Sequence, residues 1–183
     1  IGIFGLGTAE TKFKSHPDNT VGVEFADEIE TAEKMVKELQ EQEVDLIIAL
    51  VHLGIEGTTT TTSKELAEKV EGIDLIVDGH SHEILNEMVG DTLLVQAENY
   101  LKNIGIVEIE IVDGEISSME AGLFSFEEAQ ELTPDPAIEE EIDAIEEVVA
   151  PIKEIVVGKS KIALDGERAN VRTGETTLGN LIT

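Results

Sequence analysis

The sequence predicts an α/β fold. Two aliphatic runs without polar alternation, VDLIIALVHLG (44–54) and IDLIVDGHSH (73–82), read as strands buried on both faces. Stretches of helical periodicity precede and separate them, and a late alternating run broken by Asp-Gly adds a hairpin.

In chain order, IGIFGL is a short buried strand and HPDNTVGVEF a turn-rich connection. Phe25, Ile29, Ala32, Met35, Val36 and Leu39 recur at helical spacing between charged residues, which predicts a helix over 25–42. The run 44–54 follows as a central strand covered by helices. GTTTTTS (57–63) is a low-complexity loop, from which Thr62 or Ser63 caps a helix through KELAEKVEG, ended by Gly72. The second strand run then leads to TLLVQAENY. After it, IGIVEIEIVDGEISSMEAGLF alternates and turns at Asp113-Gly114. Residues 127–157 form a strongly acidic, helix-prone stretch started by Pro134 and Pro136 and kinked or interrupted at Pro151. A solvated face accounts for its charge. From Gly158 the character returns to strand and turn. The chain opens without Met on IGIFGLG and stops on an apolar segment, so both ends read as cut.

Composition narrows the function. The 183 residues carry 40 acidic against 12 basic side chains, a formal charge of −28. Binding to a nucleic-acid backbone requires Lys and Arg, and this chain has few. An anionic membrane surface is disfavoured for the same reason. Aromatic residues make up 3%, too few for base-stacking platforms. There is no cysteine, hence no disulfide or thiolate metal site. No segment has the length and apolarity of a transmembrane helix. A small anionic substrate would need local positive charge, which a metal ion supplies; otherwise the acidity serves solubility alone.

Of the four histidines, His52 ends one strand run, and His80 and His82 follow the other. Imidazole is the commonest side-chain metal ligand. In a turn just past a strand, His80 and His82 can diverge toward two ions, which two-metal hydrolytic sites hold about 3.5–4 Å apart. Gly79 permits the tight backbone, while Asp78 and Ser81 are placed to orient the rings or cap the turn. His52 is a natural third ligand; His16, beside Pro17 and Asp18, is a surface residue. Two strands with the order Asp, apolar run, His echo one another, as successive strands of an α/β sheet deliver groups at their carboxyl ends. Gly5 and Gly7 in GIFGLGTAET lack the G-x-G-x-x-G order and the Lys-Ser/Thr of a phosphate loop, so they read as turn residues.

VDLIIALVHLG followed by GIDLIVDGHSHEIL resembles the calcineurin-like metallophosphatases of the 5′-nucleotidase family, which also contains 2′,3′-cyclic-nucleotide phosphodiesterases. LLVQAENYLKNIGIVEIEI is similar to the family's final strands after the histidine motif, with Glu98 where glycine is usual. ALDGERANVRTGETTLGNLIT is similar to the opening of its C-terminal domain.

The resemblance implies the C-terminal half of a four-layer α/β/β/α sandwich with mixed sheets. It implies a metallophosphoesterase portion at 1–125, an acidic linker helix at 126–157, and the start of a substrate-binding domain at 158–183. It makes His52 and His80 ligands of one divalent ion and His82 a ligand of another, with Asp78, Gly79 and Ser81 in support. The ions would be Zn, Mn, Fe or Co. The family's Asp-x-His pair, bridging Asp and Asn-His segment are absent, since Asp78-Gly79-His80 is the one Asp-x-His here and no Asn-His occurs. Catalytic residues are therefore expected upstream, in a parent protein that is extracellular, on the cell surface or periplasmic. The implied activity is hydrolysis of a nucleotide phosphate, with two metals activating a water. The alternative is a non-catalytic fragment or scaffold with an incomplete metal site. A sheet edge left exposed would be a place for two copies to pair.

Overall fold

The computed structural model describes residues 1–56 and 60–183. Part of the expected 57–63 loop therefore lies outside the described residues. The chain divides into two compact units, Ile1–Leu132 and Thr133–Thr183.

The first unit is built on a five-stranded sheet of order β1-β2-β3-β5-β4. Its strands are β1 (Gly2–Gly7), β2 (Ile47–His52), β3 (Leu75–Val77), β4 (Ile84–Val89) and β5 (Thr92–Ala97). β1, β2, β3 and β5 run parallel, and β4 pairs antiparallel to β5, so the sheet is mixed. β4 is not foreshadowed by the sequence pattern. Its half-exposed alternation carries no continuous apolar run, and the Gly90-Asp91 turn joins it to β5 as a hairpin.

Helices cover one face of the sheet. α1 (Thr11–Lys14) is a single turn after β1. α2 (Glu28–Gln40) starts at Asp27, whose carboxylate caps the Glu30 amide, and α3 (Ser63–Lys69) starts at Thr62 with a full capping box to Glu65. Ala32, Val36 and Leu39 of α2 and Leu66 of α3 bury themselves against Phe4, Ile47, Ala49, Val51, Ile76 and Leu94.

The opposite face is covered differently. β6 (Asn103–Val112) and β7 (Glu115–Ser125) form a separate two-stranded antiparallel ribbon through the Asp113-Gly114 turn, both residues at positive φ. Val107, Ile109, Met119 and Ala121 of this ribbon pack on Leu75, Leu93 and Val95. The expectation that helices cover both faces of β2 is thus corrected. The buried residues Ile47, Ala49 and Val51 face the helices, whereas Leu50 on the other face is 56% exposed. An apolar run alone cannot say which kind of layer covers it.

α4 (Phe126–Ala129) is a short helix capped by Ser125. In the second unit α5 (Pro136–Lys153) buries none of its residues, in keeping with a solvated acidic helix. Pro151 does not interrupt it, because it sits in the last turn and the helix ends at Lys153. Beyond Gly158 the expected strand character is also corrected. α6 (Arg168–Thr173) and α7 (Thr177–Ile182) form there, and no strand is present among the described residues. Lys159–Leu164 finds no neighbouring strand to complete a ladder, while Thr176 caps α7 by accepting the Gly179 amide.

Candidate active site at the carboxyl edge of the sheet

Four parallel strands bring four loops to one edge. Gly7 of β1 lies in register with His52 of β2, and Leu50, Val77 and Val95 run in step across β2, β3 and β5. The loops following β1, β2, β3 and β5 therefore emerge together, the usual place for a ligand in an open α/β sheet.

Asp78 ties two of these loops. Its Oδ1 accepts the amides of Leu53 (2.9 Å), Gly54 (3.2 Å) and its own neighbour Gly79 (2.7 Å). Of the two expectations for Asp78, orienting a ring or capping the turn, the geometry matches the second, since its bonds go to backbone amides. Oδ2 is buried without a partner.

The rings of His52 and His80 meet edge to face, their centroids 5.0 Å apart. Two glycines make room for them. A Cβ on Gly79 would stand 3.1 Å from Nδ1 of His52, and one on Gly54 would stand 3.0 Å from Cδ2 of His80. Gly54 also has φ +75°, which L side chains rarely adopt. His80 (φ 71°) and His82 (φ 60°) themselves lie in the left-handed region.

His82 is not gathered with the other two. Its Nδ1 is 2.9 Å from Nδ2 of Asn99, and its ring packs edge to face on Tyr100 at 5.9 Å. Ser81 bonds neither ring. It exchanges hydrogen bonds with the Gln96 amide, which also donates to the Gly79 carbonyl (2.9 Å) and accepts the Glu83 amide (2.6 Å). His16 lies on the surface, with its Nδ1 accepting the Asp18 amide.

Sequence reasoning missed Glu10, Gln96 and Asn99. Glu10 lies seventy residues from His80, yet its Oε2 is 2.9 Å from His80 Nε2. The signal available was the GTAET loop after the first strand, which belongs at this edge once that strand is parallel to the second. Thr8 fixes the loop, donating its amide to the His52 carbonyl (3.2 Å) and accepting the Glu10 amide on Oγ1 (3.2 Å). The Lys14 ammonium, bonded to Glu10, holds that carboxyl below its ordinary range; burial opposes this and the bond to His80 reinforces it.

Glu98, Tyr100 and Leu101, in the loop after β5, also have positive φ. A glycine-favouring backbone at Glu98 agrees with its place where glycine is usual.

His52 and His80 present the nitrogen donors that divalent transition metals accept, in a cradle that two glycines keep open. Among the described residues no three His, Asp or Glu side chains converge as a full ligand set. The pair fits a metal as part of a coordination sphere. No helix of the described residues is long and apolar enough to cross a membrane.

No protein-family model matches the chain. Over its whole length it is 35% identical to a trifunctional nucleotide phosphoesterase of Bacillus subtilis, YfkN, covering 12% of that protein. It is 31% identical to the 5′-nucleotidase of Diplobatis ommata, again over its whole length and covering 33% of that protein. The crystal structure of a 5′-nucleotidase precursor from Thermus thermophilus superposes on 87% of this chain and 34% of that one, with TM-score 0.67 and 31% identity. The chain thus spans about a third or less of these relatives.

Proposed function

We propose that the chain belongs to the 5′-nucleotidase family of phosphoesterases, to members of which it is similar over its whole length, and that it forms part of a metal-dependent nucleotide phosphohydrolase. The observation that carries this is the meeting of His52 and His80 where four parallel strands end. In this reading His52 and His80 hold one divalent ion, and His82, bonded to Asn99 and packed on Tyr100, holds a second with ligands from outside this chain. Such ions lower the pKa of a water and offset charge developing on phosphoryl oxygens.

The chain's own residues hold and orient. Asp78 fixes the loops bearing His52 and His80, Gln96 braces Gly79 to Glu83, and Asn99 restrains the His82 ring. Two cations at this edge would offer an anionic substrate attraction that the −28 surface withholds. The substrate is a nucleotide, either a 5′-monophosphate or a 2′,3′-cyclic phosphate. Residues 158–183 would open the domain that binds it, and the parent would act outside the cytoplasm, both by resemblance.

The reading is tested by phosphate release from 5′-AMP with Mn²⁺, beside isothermal titration with Zn²⁺. Zinc binding lost in both His52→Ala and His80→Ala supports the shared ion, and unchanged binding in either variant refutes it. Phosphate release abolished by His80→Ala would place a working site in this chain. Zinc binding without release would favour a second reading, a non-catalytic module with an incomplete site, which the separate partners of His82 and the lack of a third converging ligand among the described residues suggest.

A further inference from the structure

We infer that Glu10 is the positioning residue for His80, fixing its ring with the proton on Nε2 so that Nδ1 carries the free lone pair. Three observations lead there. First, Glu10 Oε2 and His80 Nε2 are 2.9 Å apart, with the His80 side chain 21% exposed and that of Glu10 12%. Second, the same Oε2 takes the Lys14 ammonium, which has only N–H donors to offer, so this oxygen stands as an acceptor. An accepting oxygen takes a donor from the ring, so Nε2 carries the proton. In a neutral imidazole the other nitrogen, Nδ1, is then left unprotonated.

Third, the carboxylate is itself held in place. Glu10 follows Thr8, which is bonded to the His52 carbonyl and to the Glu10 amide, and Ala9 donates its amide to the buried Glu28 (3.2 Å). The loop after β1 thus delivers a fixed anion to the loop after β3, while Gly54 leaves space for the ring between them. A carboxylate bonded to the far nitrogen sets the tautomer and orientation of a metal-binding imidazole and raises its basicity. The metal half of this inference rests on the function proposed above; the tautomer half does not.

Two measurements on the full chain test it. Long-range ¹H–¹⁵N correlation spectra at pH 8 without metal, assigned with His80→Gln, report the tautomer. Zinc titration reports the lone pair. Wild type should show a protonated Nε2. Glu10→Ala should mix the tautomers and weaken zinc binding about 10- to 100-fold. Glu10→Gln, whose amide oxygen still accepts, should restore the tautomer, which a purely electrostatic role would not do, and Glu10→Leu, which fills the space without an acceptor, should not restore it, as a packing role would. An unchanged tautomer in Glu10→Ala overturns the inference, and so does a changed tautomer with unchanged zinc affinity. If the tautomer depends on Glu10 but wild type binds no zinc, the orienting role stands and the metal reading falls. Backbone spectra that superpose away from the loop show that Glu10→Ala is folded; if it is not, Glu10→Gln against Glu10→Leu carries the same comparison.

Discussion

Replacing Asp78 by alanine should cost far more stability than a polar residue at a strand end normally does. Its Oδ1 accepts three backbone amides, and those of Leu53 and Gly54 belong to buried residues. Each buried donor left unpaired costs about 1–3 kcal/mol, and a bond to a charged acceptor sits toward the upper end. The Gly79 amide, in a partly exposed residue, can turn to water. Two orphaned donors give roughly 3–5 kcal/mol. Against this, alanine also removes the unpartnered buried Oδ2, a relief of about 1 kcal/mol. The net expectation is about 2–4 kcal/mol for Asp78→Ala. Asp78→Asn keeps an accepting oxygen and loses the charge, so about 1 kcal/mol is expected. Urea unfolding measures both, with the midpoint falling and the slope unchanged. Hydrogen exchange at the Leu53 amide adds a local readout, since it should quicken in the alanine variant beyond the global loss. An alanine variant within about 0.5 kcal/mol of wild type, or an asparagine variant less stable than alanine, would refute the claim that backbone tethering is what Asp78 does.

Gly54→Ala places a Cβ 3.0 Å from the His80 ring at φ +75°, so a loss of about 1–3 kcal/mol and a shifted His80 ring resonance are expected in thermal unfolding and NMR spectra. Gln96→Leu takes its partner from the Glu83 amide and leaves the Gly79 carbonyl with the Ser81 amide alone; a loss of about 1 kcal/mol is expected, with faster exchange at Glu83. Leu101→Gly should leave stability unchanged or raise it by up to about 1 kcal/mol, because Leu101 is exposed and held at φ 57°. Glu65 caps α3, and its carboxyl is held low by Lys69 and then by the Thr62 amide. Its folded pKa lies below the unfolded one, so its contribution is present above the ordinary carboxylate pKa and fades as pH falls through the lowered value. Acid unfolding of Glu65→Gln should lack that component, and identical acid profiles for the two proteins would exclude it.

What the sequence made legible follows from how local each signal is. β1, β2, β3 and the β6–β7 ribbon are apolar or alternating runs whose burial is written in their own residues, and α2 and α3 carry their caps. The positions of His52 and His80 were legible for the same reason, since each ends or follows such a run. β4 was not, because half-exposed alternation resembles a polar connection until β5 supplies its partner. The residues that organise the site were the least legible. Asp78 binds amides twenty-four and twenty-five residues away, Gln96 braces a loop up to seventeen residues away, and Glu10 reaches His80 across seventy. Spacing along the chain holds no trace of such contacts. Sheet order does: once β1, β2, β3 and β5 are known to be parallel, the loops after them must share an edge, and any charged or amide side chain there becomes a neighbour of the histidines. Candidate ligands can thus be read from short motifs, whereas the side chains bonded to them become readable only with topology.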